Sequence, residues 1–207
     1  YDGIQNAIRN VGNVQGDIQS SETGFDNKTA YSYAGGIIGY LKVGTNNLKS
    51  EQTKAITSED GAIYSETNVT VYTYEISNMF SGKFVAQTDD NINTYYVNQN
   101  LGSDKTYVSG DYASGIIGFI SSTDHNDSLQ TSAYITRDNK VADNFTKVII
   151  YNAYNFASIG GETTTNASGI LGGYANIHDL EFNHCMNSGE ISCLNSSVGG
   201  IISTLGR

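Results

Sequence analysis

Apolar positions in this chain recur in short clusters, not at helical spacing. Small residues followed by branched ones appear as Ala34-Gly35-Gly36-Ile37-Ile38-Gly39, Ala113-Ser114-Gly115-Ile116-Ile117-Gly118, Ala167-Ser168-Gly169-Ile170-Leu171-Gly172 and Val198-Gly199-Gly200-Ile201-Ile202-Ser203. A looser alternating pattern precedes each: Asn10-Val11-Gly12-Asn13-Val14, Phe80-Ser81-Gly82-Lys83-Phe84, Asn155-Phe156-Ala157-Ser158-Ile159 and Asn187-Ser188-Gly189-Glu190-Ile191. Phe80 departs from the Asn that opens the other three. The order of the halves is constant and the gap between them varies, which predicts a repeat whose insertions leave from one edge as loops.

One turn of strand and corner cannot bury its own apolar face, whereas stacked turns align Ile on Ile and pair each backbone with the turns above and below. The expected fold is all-β: a parallel β-solenoid (β-helix) with hairpin and loop insertions, forming a single segment over 1–207. Four degenerate repeats are expected at 1–40, 76–119, 147–174 and 180–203, with insertions at 42–75, 85–112 and 121–145. Ile37, Ile116, Ile170 and Ile201 are expected in one interior column, and Val14, Phe84, Ile159 and Ile191 in another. Asn recurring before Gly suits a turn that bonds its own backbone, and an Asn ladder between turns.

The run Asn183-His184-Cys185-Met186-Asn187-Ser188-Gly189-Glu190-Ile191, with the Gly-Gly-Ile halves, resembles the GLUG-motif family of Gly-rich repeats found mainly in large bacterial surface proteins. The resemblance covers about half of the chain. It departs at the long insertions and at the Cys that three copies lack. It implies a solenoid fold and an extracellular setting.

Within the insertions, Asp60-Gly61 marks a hairpin turn. Asn68 to Ile76 alternates as a half-buried strand, with Val69, Val71, Thr73 and Glu75 opposite Thr70, Tyr72, Tyr74 and Ile76. Leu129 to Ile135 reads as a further strand, and Lys147 to Tyr151 as the return to the repeat.

Composition narrows the picture. Net charge is −10, which disfavours nucleic acid and anionic membrane as partners. No apolar run approaches the roughly 20 residues that span a bilayer. Pro is absent, as suits ladder-paired strands, although codon bias would give the same result. Fifteen Tyr and seven Phe favour order.

Candidate chemistry is sparse. His125, His178 and His184 show no zinc-ligand spacing, and neither does His184 taken with Cys185 and Cys193. The two Cys suit either a disulfide or a pair of buried thiols. Asp89-Asp90-Asn91 and Asp124-His125-Asn126-Asp127 lack the spacing of a calcium loop. No paired carboxylates, nucleophile elbow or phosphate loop is recognisable, so no catalytic residue, metal ligand or cofactor is expected. Sequons at Asn27, Asn68, Asn126, Asn144, Asn166 and Asn195 are about as frequent as random placement gives, and they permit glycosylation without indicating it.

The expected function is a non-catalytic structural or adhesive protein of the cell surface, a unit of a fibre or a long tandem-repeat chain. Its partners would be neighbouring copies or repeats stacked head to tail, with residues 1–18 on 183–203. The second expectation is carbohydrate binding or processing by the Tyr-bearing insertions at 64–74 and 95–112, with surface glycans as partners. Regular rows of Thr, as ice binding would need, are missing.

Overall fold

The computed structural model describes residues 7–16, 31–43, 49–57, 63–122, 144–161, 164–175, 177, 179–193 and 197–204. The fold is all-β, with parallel sheets and no α-helix among the described residues; one short 3-10 turn lies at Gly102–Asp104. The chain runs through four parallel sheets in the same order three times, and a fourth pass follows the first three sheets and then makes a single bridge from Ile202 to Leu171. The first pass contains β1 (Ile8–Asn10), β2 (Val14–Gln15), β3 (Tyr33–Gly35) and β4 (Ile38–Val43). A long hairpin follows, in which β5 (Lys49–Thr57) runs antiparallel to the start of β6 (Ile63–Ser81).

The second pass begins in β6 and is interrupted by the hairpin β7 (Phe84–Thr88) and β8 (Thr94–Asn98). It resumes with β9 (Tyr107–Ser109), β10 (Tyr112–Ser114) and β11 (Ile117–Ser122). The third pass holds β12 (Asn144–Asn155), β13 (Ser158–Gly161), β14 (Asn166–Ser168) and β15 (Tyr174–Ala175). The fourth holds β16 (Asp179–Asn183), β17 (Met186–Asn187), β18 (Ile191–Cys193) and β19 (Ser197–Gly199). Neighbours pair in parallel in the orders β1-β6-β12-β16, β2-β9-β13-β18, β3-β10-β14-β19 and β4-β11-β15.

Period-two alternation gives each sheet one inward face. In β12, Val148 and Ile150 are fully buried while Lys147 and Ile149, which alternate with them, are half-buried. These inward residues pack with Ile116, Ile117, Ile120, Ile170 and Leu171. Ile37 and Ile201 complete the expected column. Its two inner members are fully buried and its two end members half-buried, because each end residue has a neighbour on one side only.

The second column differs from expectation at one place. Val14, Val108, Ile159 and Ile191 share a register, and Phe84 is not among them. The chain leaves the parallel sheets after Gly82, pairs Phe84 antiparallel with Asn98, and returns at Thr106 and Tyr107. Phe84 instead stacks on Phe80 and Phe156, with Tyr96 and Tyr154 alongside and the Arg9 guanidinium 4.2 Å from its ring centre. That aromatic cluster fastens the hairpin to the sheets. The Asn position is also displaced: Asn10, Ser81, Asn155 and Asn187 are in register, so Ser81 and not Phe80 stands in the Asn place.

The β5–β6 hairpin forms as expected, with Thr57 opposite Ile63; its turn at Asp60-Gly61 lies outside the described residues. Leu129 to Ile135 lies outside them too.

Candidate functional site

The most organised polar feature is the seam of side chains at the corner between the first two sheets. Asn155 closes a ring with the residue two positions on: its Nδ2 donates to the Ala157 carbonyl at 3.0 Å, and the Ala157 N–H donates to its Oδ1 at 3.0 Å. Asn187 makes the same pair with Gly189 at 3.1 and 3.2 Å, and Asn10 with Gly12 at 2.9 and 3.0 Å. The carboxamide satisfies a backbone donor and acceptor that the corner leaves outside the ladder. Asn155 Nδ2 also donates to Asn187 Oδ1 at 2.7 Å, which links two passes.

In the second pass the in-register residue is Ser81, which has no carboxamide. Asn100, beyond the hairpin, supplies one. Its Nδ2 donates to the Thr106 carbonyl at 3.0 Å and its Oδ1 accepts from the Thr106 N–H. Thr106 occupies the place of Ala157, since Tyr107 pairs with Ser158. Asn100 is buried, and its backbone N–H is held by Asn98 Oδ1 at 2.7 Å.

The glycines of the Gly-Ile halves face this seam. A Cβ on Gly115 would lie 2.1 Å from the Asn155 side chain, one on Gly169 would lie 2.4 Å from the Asn187 side chain, and one on Gly36 would lie 2.3 Å from the Ser81 hydroxyl. Each glycine is therefore a notch for the residue of the following pass. This is why the two motifs occur together: one supplies the amide and the other the space. Gly200, in the last pass, has the same place in the motif, and a Cβ there would meet nothing within 4 Å.

A second feature is an aromatic patch on the outer side of the next corner. Tyr33 and Tyr112 pair across β3 and β10, and Tyr40 and Phe119 across β4 and β11. Tyr40 and Phe119 stack at 6.0 Å, Tyr33 lies 4.9 Å from Phe119, and Tyr31 meets Tyr112 edge-on at 5.6 Å. Burial pushes the Tyr33 and Tyr112 hydroxyls above their ordinary value. The neighbouring Asp111 carboxylate is engaged by the Ser32 N–H at 2.8 Å and the Ser32 hydroxyl at 3.0 Å. The sequence held a signal for this patch: Tyr33 and Tyr112 precede the same Ala, and Tyr40 and Phe119 follow the same Ile by three places.

Among the described residues, Tyr95, Tyr96 and Tyr112 from the insertions lie in three different surroundings. Tyr96 packs in the phenylalanine cluster, Tyr95 is exposed on the β7–β8 hairpin, and Tyr112 belongs to the patch above. The side chains of Tyr64 and Tyr72 lie outside the described residues. Asp89 sits in the hairpin turn, where hydrogen bonds from Asn93 and Asn91 lower its pKa. On the outer face of β12, Lys147 bridges Glu181 at 2.7 Å and Asp179 at 3.4 Å, raising the lysine pKa and lowering that of Glu181. His184 is exposed with φ of 52°; His125, His178 and the Asp124–Asp127 stretch lie outside the described residues. Cys185 and Cys193 are free thiols, and burial raises the Cys185 pKa.

Among the described residues, no three His, Cys, Asp or Glu side chains gather as a metal site, and no helix is long and apolar enough to cross a membrane. Of the sequons, Asn166 is half-buried and its carboxamide bonds Thr165 and Thr204. Compared with known protein families, curated proteins and solved structures, the chain matches none.

Proposed function

We propose that this chain is a non-catalytic structural repeat protein, a segment of a parallel β-solenoid that belongs to an extracellular surface or fibre. On this reading the four passes are four coils, and the resemblance of Asn183 to Ile191 to the GLUG-motif repeats supplies the extracellular setting. The observation that carries the proposal is the Asn–Gly seam. The same amide ring recurs at the corner of each coil, the glycine notch beside it receives the seam residue of the next coil at Gly36, Gly115 and Gly169, and the Asn155 amide links its coil to the next through Asn187. A protein whose recurring polar residues serve corners and stacking, and whose Asp89, Asp111, Asp179, Glu181 and Glu190 carboxylates are engaged in hydrogen bonds and surface ion pairs, is organised for mechanical continuity.

The test is direct. Antibodies against the chain should label intact source cells, and the purified protein should cleave none of a panel of plant, algal and bacterial polysaccharides. Labelling only after permeabilisation, or saturable cleavage lost on substituting one carboxylate, would overturn the reading.

A second reading is glycan adhesion at the aromatic patch, favoured by the exposure of Tyr31 (52%) and Tyr40 (47%) beside the half-buried Tyr33 and Tyr112. Exposed rings offer stacking faces to sugars. Binding on a glycan array that is lost in Tyr40→Ala would support it; an array without a single reproducible ligand would end it.

A further inference from the structure

We infer that the excursion over 83–106 is a mechanical clasp, an arm of the second pass that grips the first, third and fourth passes and makes them yield together. The inference rests on the solenoid reading and adds the element that resists a pull along the stack.

In a plain stack each pass touches only its neighbours, so passes can separate one at a time. The excursion breaks that rule. The ladders place the third pass between the second and the fourth, in the order β9-β13-β18. Two side chains of the second-pass excursion nonetheless reach the fourth pass. Asn98 Nδ2 donates to the Ser188 carbonyl at 2.8 Å, and Lys105 Nζ bridges the Glu190 carboxylate at 3.3 Å. Met186 of the fourth pass also packs against the phenylalanine cluster that seats the hairpin.

The same arm holds the other two passes. On the third, Phe84 stacks on Phe156 at 4.8 Å and Tyr96 meets Tyr154 at 5.2 Å. On the first, the Arg9 guanidinium donates to the Phe84 carbonyl at 3.2 Å and lies over the Phe84 ring. Where the arm rejoins the ladder, the Thr106 hydroxyl donates to the Val11 carbonyl at 2.8 Å and the Tyr107 N–H to Asn13 Oδ1 at 2.9 Å.

These grips fall where the ladder is also bonded. The Ser188 N–H donates to the Asn155 carbonyl at 2.8 Å, and the Ile159 N–H to the Glu190 carbonyl at 2.8 Å. A pull that lifts the fourth pass therefore loads ladder and arm at the same residues. If one gives way, the other keeps its partner close and the broken bond re-forms at high effective concentration. Neither outer pass can leave without releasing the arm.

The experiment pulls single molecules of the 207-residue chain through its two termini at constant force. The parent should extend in one step. Asn98→Asp keeps the oxygen that accepts the Asn100 N–H and removes the donor to Ser188. Combined with Glu190→Gln, it should let the fourth pass separate first, in a short step of its own. The lifetime of that pass under load should fall by at least about tenfold, the change expected when about 1.4 kcal/mol of contact is removed. Arg9→Met should instead release the first pass early. Gln87→Ala, exposed on the same hairpin, should behave as the parent. Circular dichroism should show the parent's fold in all of them. A parent that peels one pass at a time overturns the clasp. So does a double variant that keeps the single step, or a Gln87→Ala chain that loses it. Those outcomes leave the surface reading standing, whereas polysaccharide cleavage would remove that reading without touching the clasp.

Discussion

The Asn100 carboxamide holds Thr106 through the same pair of hydrogen bonds by which Asn155 holds Ala157, although six positions separate the first pair and two the second. The β7–β8 excursion displaced the chain from the seam and carried a replacement amide back to it. The corner therefore keeps its backbone satisfied in the one pass where Ser81 stands in place of Asn.

Removing that amide strands a donor and an acceptor of Thr106 in a buried site. Asn100→Ala should lower stability by roughly 2–4 kcal/mol in chemical denaturation. Asn10→Ala, whose ring with Gly12 is exposed, should cost clearly less. Equal losses at the two positions would show that Asn100 is dispensable.

The isoleucine column gives a graded series. Ile116→Ala and Ile170→Ala remove fully buried side chains and should cost about 2–5 kcal/mol each. Ile37→Ala and Ile201→Ala act on half-buried end residues and should cost less. Urea midpoints that rank the four the other way would contradict the stacking order.

The notch predicts energetic coupling. Gly115→Ala pushes a methyl into Asn155 and should destabilise the fold by about 1–3 kcal/mol. The same substitution should cost less in an Asn155→Ala background, with a coupling of about 0.5–3 kcal/mol in a double-mutant cycle. Additive losses would mean that the glycine and the amide do not meet.

The aromatic patch predicts alkaline behaviour. Burial, followed by repulsion from neighbouring phenolates and Asp111, raises the Tyr33 hydroxyl above 10.0; burial, then Tyr31 and Asp111, does the same for Tyr112. A folded-state pKa above the unfolded one contributes stability that is complete below pH 10.0 and lost as pH rises through the folded value. Phenolate absorbance should therefore show at least two late-titrating tyrosines, and Tyr33→Phe should move alkaline unfolding to higher pH. Titration of every tyrosine at or below the ordinary value would refute the packing of this corner.

Spacing along the chain sufficed for the all-β class, parallel pairing and the Ile37–Ile116–Ile170–Ile201 column. Small residues followed by branched apolar ones at matching places can be buried together only if those places lie side by side. The Asn-before-Gly pattern likewise marked the ring at Asn10 and Asn187, because that hydrogen bonding is local. Tertiary structure alone decided the second pass. There Val108 took the place expected for Phe84, Ser81 the place expected for Phe80, and Asn100 the work of the seam amide. A hydrophobic column accepts any apolar side chain that arrives at the right height, and an amide ring accepts any Asn within hydrogen-bond reach. Where the chain makes an excursion between two ladder positions, through-space proximity selects the residue, and linear spacing carries no record of that selection. The pairing of Gly115 with Asn155 has the same origin, since a notch and the side chain that fills it belong to different passes and meet only when those passes stack.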